Sequence, residues 1–247
     1  MKKVALAAFI ALTLMACNKT REKTVAADCA VTEEVITLYQ SSAEAIYTQI
    51  VRADETHAEH NADIIGEAGV KEVLKKFGAI VMAAESNTEI QAMVYDYGIH
   101  QSMGWNPSSF GIWFNLESNY TSMQDNWGAT GYATLDRLAN DYGYVVTHTY
   151  SSNQGGRIEG DTPLNMQAIV EAINEELGTL GSAELNHSFG GSSSIEYLEE
   201  GNKTVFIYAH GWGDCPSGCI YHHYWKVKVD KNCDVTLVEQ YGDDLPE

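Results

Sequence analysis

The sequence predicts an α+β fold: helices at the N-terminal end, an irregular aromatic-rich middle, and a C-terminal helix packed on a four-stranded antiparallel meander. Three observations predict it. Apolar residues recur at helical spacing from Thr32 to Ile50 and again between Ala62 and Glu85. Thr162-Pro163 opens a third helical pattern. From Ser193 to Tyr241 the chain alternates and turns as paired strands do.

Thr32 is a good N-cap, because its hydroxyl can accept from a first-turn N–H that has no helical partner. Glu33 and Glu34 suit the positive end of the helix dipole, and Val35, Leu38, Tyr39, Ile46 and Ile50 mark the apolar face. In the second helix Ile65, Val73, Phe77, Ile80 and Val81 form the stripe. Gly66, Gly69 and Gly78 each weaken that helix by about 1 kcal/mol relative to Ala. The segment Ile90–Tyr150 is rich in aromatics, Gly, Asn and Ser and poor in periodicity, apart from a short helix near Thr134–Tyr142 and a strand at Tyr144–Tyr150. Ser151–Asp161 (SSNQGGRIEGD) reads as a linker or long loop.

Thr162 as N-cap and Pro163 at the first helical position start the next helix, which buries Ile169, Val170, Ile173 and Leu177 and ends at Gly178 or Gly181. Ser193–Glu199 and Lys203–His210 flank a Gly201-Asn202 turn, and Ile220–Val229 and Asp234–Tyr241 flank a polar turn ending at Cys233. Alternation puts Tyr221, His223, Trp225, Val227 and Val229 on the face expected to meet the helix of residues 162–180, with His222, Tyr224, Lys226 and Lys228 opposite. The expected divisions are therefore residues 31–152 and 162–241, which can also be read as one domain.

Upstream of these lie two lysines, Lys2 and Lys3, and an uncharged run from Val4 to Met15, the layout of a secretory signal too short to anchor in a bilayer. It closes on Leu14-Met15-Ala16-Cys17, which resembles a bacterial lipobox. The resemblance implies cleavage after residue 16, a diacylglycerol thioether on Cys17, and a membrane-anchored extracytoplasmic protein. Residues 17–30, with little apolar content and no periodicity over Asn18–Ala27, read as a tether.

Charge narrows the partners. The formal net charge is −19, about −21 once Lys2 and Lys3 leave with the signal. Such a surface repels phosphate backbones and anionic head groups, which excludes nucleic acid and any membrane contact beyond the lipid. With 45% hydrophobic residues the chain has a core to bury.

Cys29, Cys215, Cys219 and Cys233 remain after Cys17, and an even number in an exported chain reads as two disulfides. The meander constrains their pairing. Cys215 and Cys219 lie at one end of the third strand and Cys233 at the other, about 33 Å away at about 3.3 Å per residue. A disulfide needs Cα atoms within about 7 Å, which leaves Cys215–Cys219 and Cys29–Cys233.

Several motifs invite chemical readings. Asp214-Cys215-Pro216-Ser217-Gly218 resembles the Asp-Cys-Ser-Gly signature of cell-wall cysteine peptidases, but Pro216 interrupts it and a disulfide-bonded Cys215 is no nucleophile. It is more similar to Gly-Asp-Cys-Pro-Ser-Gly-Cys segments of uncharacterised exported bacterial proteins. His57 and His60 would share a helix face and could hold a divalent cation, although such runs are more often solvated connections. His210, Asp214, His222 and His223 cluster in sequence, yet adjacent strand positions send His222 and His223 to opposite faces. No phosphate loop, triad spacing or cofactor motif stands out, so no catalytic residue, cofactor or metal is assigned.

The aromatic middle points to binding. Sugar rings stack on exposed indoles while amides take their hydroxyls, and Trp105, Trp113 and Trp127 with Asn106, Asn115 and Gln124 have that chemistry. Core packing is the ordinary use of such rings. The expectation is a lipid-anchored binding or scaffolding protein whose partner is a glycan, a peptide or an envelope protein. The alternative is a cell-envelope hydrolase, metal-dependent in one version, which a deep pocket gathering two or more of His100, His148, His210 and Asp214 would favour.

Overall fold

The computed structural model describes residues 23–25, 29–100, 105–187, 193–215 and 218–246. In chain order the elements are β1 (Lys23–Val25), α1 (Glu33–Ala53), α2 (Glu67–Ala84), α3 (Thr88–Gln91) running into a π-turn (Ala92–Asp96), β2 (Trp105–Phe114), α4 (Glu117–Asp125) and α5 (Ala133–Tyr142). They continue with β3 (Val145–Thr149), β4 (Gly155–Glu159), α6 (Met166–Leu177), β5 (Gly181–His187), β6 (Ser193–Glu200), β7 (Lys203–Trp212), β8 (Tyr221–Asp230) and β9 (Val235–Gly242). Two antiparallel sheets result, ordered β1-β9-β8-β7-β6 and β3-β4-β2-β5.

The α+β class stands, but the expected packing is overturned. The meander β6–β9 forms with its turns where expected, and β1, inside the stretch expected as tether, pairs with β9. Its apolar face is covered by α1 and α2 rather than by α6. Tyr39 stacks on Phe77 at 4.3 Å, Phe77 meets Phe206 at 4.9 Å, and Trp225, Val227 and Val229 of β8 complete that core. Helix α6 instead buries Ile169, Ile173 and Leu177 against Phe110 and Ile112 of β2 and Ala183 of β5. The reason is β5, which follows α6 after a short turn and pairs with β2, so helix and strand join the other sheet together.

The middle is likewise not irregular. Residues 105–187 build the second sheet with its own cover of α4, α5 and α6, and the supposed linker 151–161 contains β4 between β2 and β3. Gly155 and Gly156 hide this strand from an alternation test, and they are needed: Trp113 and Tyr120 lie where their Cβ atoms would be. The sixth helix also starts later than Thr162-Pro163. Its N-cap is Asn165, whose Oδ1 accepts from Ala168 N at 3.3 Å.

Local signals held elsewhere. Thr32 Oγ1 accepts from Val35 N at 3.3 Å at the start of α1. Gly69 and Gly78 of α2 sit where Tyr47 and the Ala30 carbonyl press against the helix, so close approach offsets the propensity they forfeit. Both disulfides join the expected partners, Cys29–Cys233 with Cα atoms 5.6 Å apart and Cys215–Cys219 at 4.0 Å. The first ties the start of α1 to the turn between β8 and β9.

The segment between α1 and α2 joins the two layers. Asp63 receives Arg137 Nε at 2.6 Å and the Tyr142 hydroxyl at 3.2 Å, and Ile64 bridges to Leu164, while Arg52 in the last turn of α1 pairs with Glu171. His57 and His60, expected to share a helical face, lie in turns instead. His57 Nδ1 accepts from Glu59 N at 3.1 Å, while His60 Nδ1 faces the carbonyls of Val51 and Asp54 at 3.2 and 3.1 Å.

Candidate functional site on the open face of the second sheet

Period-two alternation divides the second sheet. Phe110, Ile112 and Phe114 of β2 turn inward to the helices, so Ser109, Gly111 and Trp113 face away from them. Register then assembles the outer face. Glu184, Gly111, Arg157 and His148 form one row across all four strands, and Ser182, Trp113 and Gly155 form the next.

Trp113 lies across this face because two of its neighbours lack side chains. A Cβ at Gly111 would run into its six-membered ring, and one at Gly155 would come within 2.8 Å of its Cδ1. Tyr150, just past β3, stacks with Trp113 at 5.2 Å and 18°, its hydroxyl 3.1 Å from where a Gly111 Cβ would stand. Two half-buried rings thus pave a glycine floor. Arg157 borders the pavement, paired to Glu159 at 3.2 Å, and His148 packs edge-on to Tyr150 at 5.7 Å. Burial holds the Tyr150 phenol above its ordinary range, with Arg157 opposing. Its hydroxyl is therefore neutral and able to donate.

Trp113 is the one tryptophan of the expected three that takes such a place. Trp105 opens β2 eight residues away, about 26 Å along an extended strand, and is only 8% exposed. Trp127 is half-buried against the second core and donates from Nε1 to Tyr144 O at 2.9 Å. The amides have structural work as well: Asn106 accepts from Ser108 N at 2.8 Å and Asn115 donates to Thr179 O at 2.6 Å. Sequence reasoning missed Tyr150 and Arg157, the latter because it fell in the supposed linker. The alternation of Arg157, Ile158 and Glu159 was the available signal.

A second aromatic run occupies the end of the first sheet. Tyr97 touches Trp225 at 5.6 Å and His210 at 4.8 Å, then Trp212 and Tyr221 continue the series at 5.6 and 5.8 Å. Cys219 packs on Gly211, on the opposite face of the same hairpin, so the Cys215–Cys219 ring braces it. Burial, with His223 opposite, lowers the His210 pKa below its ordinary value. His223 instead hydrogen-bonds Asp243 O at 2.7 Å and packs on Trp225 at 4.5 Å.

The other expected histidines stay apart. His100 hydrogen-bonds Val94 O at 2.6 Å beside Tyr39, His148 is on the open face, and Asp214 lies beyond β7. Among the described residues no three His, Cys, Asp or Glu side chains converge as a metal site. None of the described helices is long and apolar enough to cross a membrane. Cys17 lies outside the described residues. No family model, curated protein or solved structure matches the chain.

Proposed function

We propose that this chain is an extracytoplasmic binding lipoprotein, tied to a membrane through Cys17, that holds a glycan on the open face of its second sheet. The Trp113–Tyr150 pavement is the observation that carries the reading. Two nearly parallel rings offer C–H stacking surface, while Arg157, Glu184 and His148 in the adjoining row can take hydroxyls or a uronic carboxylate. Strand register and the Trp113–Tyr150 stack fix these groups relative to one another, and such preorganisation lowers the entropy cost of binding. The two disulfides support an oxidising location, where the lipobox resemblance also puts the chain.

The test is calorimetry of the purified protein against neutral and uronic-acid oligosaccharides. Trp113→Ala should weaken the best of them by at least about tenfold, equivalent to 1.4 kcal/mol, with the circular dichroism unchanged. Undiminished binding by that variant, or no binding by the parent protein to any of the sugars, would defeat the glycan reading.

A further inference from the structure

A cleft of about 520 Å³ opens between α1 and α2 where the two layers meet. That volume falls within the roughly 300–1,000 Å³ of small-molecule sites, which favour such junctions. Ile65, Val70 and Leu74 line it from one layer and Pro163 from the other. Ile36 and Ile64 also line it and are 44% and 55% exposed, so its apolar wall continues out to solvent.

The cleft also contains a carboxylate. Glu44 of α1 is 8% exposed, and its only side-chain hydrogen bond among the described residues comes from Gln40 Nε2 at 2.6 Å. No lysine or arginine pairs with it there. Burial raises its pKa, with the Gln40 bond opposing, which marks a charge held without adequate compensation. Glu67 and Lys71, exposed at the rim and four apart on α2, cancel one another in formal charge. The uncompensated charge inside the apolar walls is therefore that of Glu44.

We infer that this cleft binds a small amphiphilic cation, an apolar body carrying an ammonium group, with Glu44 as its counter-ion. The apolar body covers Ile36 and Ile64, and the ammonium supplies the donors and opposite charge that Glu44 lacks. An anion of the same shape would meet Glu44 at low dielectric and be rejected. A neutral analogue would gain the apolar contacts alone. The cleft shares no lining residue with the Trp113 face and does not depend on the glycan reading.

Calorimetric titration of the purified protein at pH 7.5 with n-octylammonium, n-octanol and n-octanoate tests this. Octylammonium should bind at least about tenfold more tightly than octanol, and octanoate should not bind. Glu44→Gln, which keeps the shape and one acceptor oxygen for Gln40 Nε2, should reduce octylammonium to the level of octanol without loss of fold. Ile64→Ala, at an exposed position, should weaken both by a similar factor. Equal binding of octylammonium and octanol, full octylammonium affinity in Glu44→Gln, or no saturable binding of any of them would each overturn the inference.

Discussion

Asn165 and His60 stand 105 residues apart in sequence, and the side-chain nitrogen of the first donates to the backbone oxygen of the second at 3.1 Å. The same amide group reaches Glu59 O at 3.3 Å, its Oδ1 caps α6, and the backbone N–H of Asn165 donates to Asp63 O at 2.8 Å. One residue, 2% exposed, thus starts a helix of the second layer and holds the segment leaving the first. Asn165→Ala should cost about 1–2 kcal/mol, roughly one for the cap and less for the two lost side-chain donations, because His60 O keeps Arg52 Nη1 and Glu59 O keeps Ala62 N. Asn165→Asp keeps the cap but brings a carboxylate against the same carbonyls, so it should be at least as damaging. Urea denaturation of both variants measures this, and an Asp variant with the parent midpoint would show that the cap alone matters.

The sequence discloses mainly what acts over short range. Thr32, Gly201-Asn202 and the polar turn ending at Cys233 act on neighbours a few residues away, so their effects are readable from local order. The disulfide pairing was readable for a related reason: strand length is a hard distance, and Cys233 lies one strand from Cys219. The partner of α6 was not. Periodicity identifies Ile169, Ile173 and Leu177 as an apolar face but is silent on which sheet receives it. Trp113, Trp105 and Trp127 are equivalent as sequence symbols. Their separate fates follow from distant atoms, Gly111 and Gly155 beneath the first and Tyr144 O in front of the last.

The two disulfides should differ sharply in what they contribute. Cys29–Cys233 closes a separation of 204 residues and Cys215–Cys219 one of 4. Chain entropy alone then assigns about 5 kcal/mol to the long link and about 2 to the short one, as upper limits. Replacing Cys29 and Cys233 together by Ala should lower the unfolding free energy by at least twice the loss from replacing Cys215 and Cys219. Denaturant midpoints of the two double variants decide it, and equal losses would remove loop closure as the dominant effect. The short ring should register instead at the Trp212 and Tyr221 rings it braces, as a change in near-ultraviolet dichroism.

Glu44 makes a separate prediction about pH. Its pKa in the folded chain is raised above the ordinary 4.5 by burial, the Gln40 hydrogen bond acting in the opposite sense. At the cleft the other charged groups are Glu67 and Lys71, both at the rim. Because the folded state holds this proton more tightly than the unfolded one, the stabilisation is complete below pH 4.5 and is lost as pH rises through the folded pKa. Glutamine at this position cannot ionise and keeps a polar group beside Gln40. Glu44→Gln should therefore match the parent protein at pH 4 and exceed it in stability at pH 7.5, the gap opening between the two. Urea unfolding of parent and variant across that range provides the measurement. A variant less stable than the parent at pH 7.5 would mean that the ionised carboxylate is a favourable partner within the fold, and Glu44 would no longer stand as an uncompensated charge awaiting a cation.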